Sequence, residues 1–61
     1  MFEVGKVYEI TVYEDDEDTS YFGCKVVAVD GTLIKVEHPG GDQKIYNTAS
    51  LTFISATEDN G

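Results

Sequence analysis

The sequence predicts an all-β chain closed into a small five-stranded barrel. Three observations carry that reading. Apolar residues alternate with period two in several runs, the signature of half-buried strands. No segment sustains a 3.6-residue apolar period. Clusters of Gly, Pro, Asn and Asp punctuate the runs at short intervals, as turns between strands do. The 61 residues allow one domain, expected over residues 1–56, with a flexible tail at 57–61. A core this small is marginal, and closing the sheet removes free edges.

The elements follow in order. Lys6 to Tyr13 alternates, with Tyr8, Ile10 and Val12 on one face and Glu9, Thr11 and Tyr13 on the other. The polar stretch Glu14 to Thr19 reads as a long loop. Ser20 to Asp30 is a long second strand, with Phe22, Cys24, Val26 and Ala28 on one face, Val27 and Val29 on the other, and Gly23 as a point for a bulge. Asp30-Gly31 is the strongest hairpin signal and predicts a type I′ turn with positive φ at both central residues. Thr32 to His38 is the third strand, with Ile34 and Val36 inward. Pro39-Gly40-Gly41-Asp42 is a turn, because Pro lacks a donor and Gly tolerates sharp bends. Gln43 to Asn47 is a short strand centred on Ile45. Asn47 to Ser50 predicts one 3₁₀ turn before a last strand from Leu51 to Ala56. The expected core is Val4, Tyr8, Ile10, Val12, Phe22, Cys24, Val26, Ala28, Ile34, Val36, Ile45, Leu51 and Phe53.

Composition narrows the function classes. Twelve acids against four Lys and no Arg give a formal charge of −8. Nucleic-acid binding draws on clustered basic residues, and Lys6, Lys25, Lys35 and Lys44 are scattered. Four Tyr and three Phe argue for a core rather than disorder. No run of about 18 apolar residues suggests a membrane span. A single Cys cannot form an internal disulfide, and the N-terminal residues show no basic-then-apolar leader, so a reducing, cytoplasmic setting is expected.

The aromatic Tyr21-Phe22, the apolar strand to Val29, the Asp30-Gly31 turn and the return through Leu33-Ile34-Lys35-Val36 resemble the middle of Tudor-like domains. From about Val4 to Ala56 the pattern resembles the SH3-like barrel. That resemblance implies a five-stranded barrel with a 3₁₀ turn before its last strand. Signalling SH3 domains begin with an Ala-Leu-Tyr-Asp-Tyr-like segment and carry paired Trp residues. This chain has no Trp and no such start, which argues against proline-rich peptides. Tudor-like domains hold methylated Lys or Arg in aromatic cages with an acid, a use of cation–π attraction.

Five of the twelve acids lie at Glu14, Asp15, Asp16, Glu17 and Asp18. Such a run keeps a protein soluble and also steers basic partners toward it. Its spacing fails the EF-hand pattern, because Tyr21 and Val27 stand where Gly and Glu belong. Tyr13 and Tyr21 flank the run and are expected near one another, and Tyr46 approaches from the far end of the chain. His38 lacks a partner in the sequence and reads as a turn-flanking surface residue, while Cys24 reads as an inert buried thiol. The polar turn Asn47 to Ser50 either satisfies its own backbone or borders a groove. No nucleophile–base pair, cofactor motif or metal-ligand set is visible. The expected function is a non-enzymatic acidic interaction module for a basic protein partner, through Tyr13, Glu14–Asp18, Tyr21 and Tyr46. The alternative is a nucleic-acid mimic that occupies the groove of a DNA-binding protein. Outward Val27 and Val29 allow a homo-oligomer.

Overall fold

Five antiparallel strands form one sheet in a computed structural model that describes residues 2–59. They are β1 (Val7–Glu14), β2 (Glu17–Asp30), β3 (Leu33–Glu37), β4 (Gln43–Asn47) and β5 (Phe53–Glu58). The sheet order is β4-β3-β2-β1-β5, so β2 is central and β4 and β5 are the two edges. Among the described residues no backbone ladder joins those edges. They meet instead through side chains, with the Tyr46 and Phe53 rings 6.4 Å apart. Phe2 adds a third ring, 5.0 Å from Tyr8 and 6.0 Å from Phe53. The edge-on geometries suit the ring quadrupole.

The alternation of β1 holds as expected. Tyr8, Ile10 and Val12 are buried, with Cys24 and Val26 of β2 and Ile34 and Val36 of β3. Phe2, Tyr21, Tyr46, Phe53 and Ala56 pack around this cluster. Glycine places Tyr21 there. In the β1–β2 ladder Tyr8 faces Cys24 and Ile10 faces Tyr21, so Phe22 and Gly23 together stand opposite Glu9. Gly23 takes φ 69°, and a Cβ on it would lie 2.9 Å from Pro39 Cγ. The bulge reverses the face of every residue before it. Tyr21 therefore turns inward, and Phe22, expected in the core, is 66% exposed. A second bulge at Val27 turns Ala28 outward opposite Lys35. Val29 is exposed and Val27 half-buried.

Three further core expectations fail for related reasons. Val4 lies in the exposed entry turn. In β4 the inward residues are Lys44 and Tyr46, which pair with buried Val36 and Ile34. Ile45 pairs with exposed Lys35 and faces outward. Leu51 is fully exposed, because two successive backbone turns, Ser50 N to Asn47 O and Phe53 N to Ser50 O, carry the chain past it. No 3₁₀ turn forms there, and the last strand starts at Phe53 and runs to Glu58, two residues past the expected limit at Ala56. The remainder of the expected tail is Asp59, whose N–H donates to Val7 O at 2.8 Å, and residues 60 and 61, which lie outside the described residues.

Both turns of β2 also differ from expectation. The expected long loop is a two-residue turn, because Glu14 already pairs with Glu17. Asp15 and Asp16 take φ 52° and 65°, the type I′ pattern. Conversely, Asp30 pairs with Leu33, so Gly31-Thr32 is the turn and Gly31 alone has positive φ, at 60°. That is the type II′ pattern, with Gly at its first central position.

Candidate functional site

The β1–β2 hairpin sets the acids on a tight turn at one end of the sheet. Asp15, Asp16, Glu17 and Asp18 are exposed, and Glu14 is half-buried. Parity decides what each can reach. Val12, Glu14 and Tyr21 share the inner side, and the Tyr21 hydroxyl donates to Glu14 Oε1. Tyr13 pairs with Asp18 and points to the opposite face, 46% exposed. The expected Tyr13–Tyr21 pairing across the loop does not form, because both hairpin strands keep their alternation up to the turn.

Tyr21 belongs instead to a row of rings along the inner face. The Tyr21 and His38 rings lie 5.2 Å apart, His38 and Tyr46 6.4 Å, and Tyr46 and Phe53 6.4 Å. Lys44 Nζ sits 5.3 Å from the Tyr21 centroid, within cation–π range. Tyr21, Tyr46 and Glu14 are thus brought to one side, whereas Tyr13 is not.

His38 is not the surface residue its sequence position suggests. It is half-buried at the end of β3, where the sheet carries the chain back beside β2. Its Nδ1 lies 3.8 Å from Cys24 Sγ, and its Nε2 lies 3.4 Å from the Tyr46 hydroxyl. Cys24 has one S–H, and it donates to Tyr21 O at 3.6 Å. With that proton committed, the sulfur is left as an acceptor toward Nδ1, and the Tyr46 hydroxyl can either donate to or accept from Nε2. These contacts are long and individually weak.

The same packing restrains reactivity. Burial pushes the Cys24 thiol up, which keeps it protonated and a poor nucleophile. Tyr46 is pushed up to about 12, chiefly by burial and then by Cys24, Tyr21 and Glu14. Tyr21 is raised first by its bond to Glu14, with burial and the charges of Glu14 and Asp15 adding to it. The row is an aromatic wall, half-buried at the Tyr21 end. Among the described residues no group of three or more His, Cys, Asp or Glu is placed to hold a metal ion. No helix there is long and apolar enough to cross a membrane.

Sequence reasoning missed His38 and Lys44. The contact between Cys24 and His38 spans 14 residues and comes from strand pairing. Lys44 was legible only through the parity of β4, whose inward residue Tyr46 was the available signal. The Asn47–Ser50 turn is closed by its own side chains. Ala49 N–H donates to Asn47 Oδ1 at 3.0 Å, Thr48 Oγ1 donates to Thr32 O at 2.8 Å, and Thr52 N–H donates to Ser50 Oγ at 3.2 Å. The surface also carries two open grooves. One of about 210 Å³ is floored by Ala28, Leu33 and Ile45, and another of about 460 Å³ lies beside Gly23, His38 and Pro39. No family model matches this chain, and no curated protein or solved structure matches it either.

Proposed function

We propose that this chain is a small, cytoplasmic, non-enzymatic interaction module of the SH3-like barrel type, and that its acidic hairpin end receives a basic segment of a protein partner. Five antiparallel strands with one long, twice-bulged central strand support the barrel reading. The observation that carries the function is the junction of two features. Four exposed carboxylates, Asp15 to Asp18, project from a tight turn, and the aromatic wall begins beside them at Tyr21. The carboxylates supply a long-range field that raises the encounter rate. The ring face supplies short-range contact to a cation and to its apolar stem.

Titration with a lysine-rich peptide, followed by backbone and aromatic chemical shifts, tests the reading. The expected result is saturable binding that weakens steeply with salt, with the largest shifts at Asp15–Asp18 and Tyr21. No saturable binding at low salt, or shifts spread evenly over Glu3, Glu9, Glu37 and Asp42, overturns it. The even spread is the footprint of a groove-filling nucleic-acid mimic.

A further inference from the structure

We propose that the Tyr21 ring face, backed by Glu14, is the seat for an ammonium group of the basic partner, and that Lys44 of the chain's own β4 holds this seat until the partner displaces it. The inference rests on the function proposed above and adds the partner's contact group and an internal competitor.

Lys44 occupies an unusual position. Strand pairing sets Val26, Val36 and Lys44 in one transverse row, and both valines are fully buried. Lys44 therefore stands at an inward site on an edge strand, where the rest of the row is apolar. Its aliphatic stem can cover apolar surface while the ammonium reaches out to the rim. That reach ends over the Tyr21 ring, 5.3 Å from its centroid, and the Tyr21 hydroxyl donates to Glu14. A cation over a ring whose hydroxyl is tied to a carboxylate is an arrangement for recognising an ammonium, here satisfied internally. Lys44 is exposed and its Nζ makes no ion pair within 4.0 Å among the described residues, in contrast to Lys6, which lies 3.4 Å from Glu58. The contact is of a strength that a partner lysine arriving with the hairpin's field behind it can replace.

An inward charge on an edge strand also discourages edge-to-edge pairing, so the test must separate the two roles. Lys44→Gln and Lys35→Gln each remove one positive charge, and Lys35 lies on the outer face of β3 opposite Ile45. Affinity for the lysine-rich peptide is measured for both variants and the wild type at one salt concentration. The expected result is that Lys44→Gln binds about two- to fivefold tighter than Lys35→Gln, the competitor's contact having been removed. In a Tyr21→Leu background the difference between the two variants vanishes. Equal tightening by both variants overturns the inference while leaving the proposed function standing, and Lys44 is then an edge guard. No binding by any of the three proteins overturns the function and the inference together. One readout needs no binding. The Lys44 side-chain methylene protons are expected upfield of ordinary lysine values through the Tyr21 ring current. Ordinary shifts overturn the seat directly.

Discussion

The turn between β1 and β2 and the turn between β2 and β3 are both two residues long. Asp15 and Asp16 occupy the first at φ 52° and 65°, and Gly31 alone carries positive φ, at 60°, in the second. Glycine enters that region without steric cost, while an L side chain there costs about 1–2 kcal/mol, somewhat less for Asp. The second turn is made by its own residues. In the first, adjacent carboxylates sit where Asn-Gly is the favourable choice, so the flanking ladder holds the turn in shape. The first turn is thus held by its ladder and the second by its own glycine, and the first lies where the partner surface is proposed.

The sharpest way to break the comparison is at Gly31. Gly31→Val puts a β-branched side chain at positive φ and is expected to lower stability by about 2 kcal/mol, read by chemical denaturation. A loss below about 0.5 kcal/mol removes the distinction between the turns. The converse change improves the first turn. Asp15→Asn with Asp16→Gly installs the favoured pair, relieves repulsion and is expected to add about 1 kcal/mol. The same double variant is expected to bind the lysine-rich peptide several-fold more weakly, trading function for stability. A more stable variant with unchanged peptide affinity detaches the hairpin from recognition.

The smallest effect is read at high pH. Burial pushes the Tyr46 hydroxyl up to about 12 from an ordinary value of 10.0, so folding favours its protonated form. The stabilisation is fully present below about pH 10 and is lost as pH rises through 12. Denaturation midpoints followed across pH 10 to 12 are expected to fall less steeply for Tyr46→Phe than for the wild type. Equal slopes place the Tyr46 hydroxyl outside the buried row.

Much of the fold was legible because side-chain parity is a strong constraint on a sheet with one buried face. Tyr8, Ile10 and Val12 in β1, and Ile34 and Val36 in β3, follow it without interruption. Reading failed where parity was reset. The bulge at Gly23 exchanged Phe22 for Tyr21, and the bulge at Val27 turned Ala28 outward. A bulge adds one residue and leaves only a glycine as its trace, and Val27 leaves no trace at all. In β4 hydrophobicity pointed to Ile45 as the core residue, but pairing with β3 turned Lys44 and Tyr46 inward. The candidate site was half legible for the same reason. The acids and Tyr21 were visible as a run, whereas His38 and Lys44 reach it only through strand order.

Cys24 is fully buried, with its sulfur held between the Tyr21 carbonyl and the His38 ring. A water-borne alkylating reagent reaches that sulfur only when the packing around it opens. With one thiol in the chain, every labelled molecule records one such opening. The labelling rate is therefore a built-in clock for the sheet. Run with and without a bound partner, it measures how far occupying the hairpin end slows that opening.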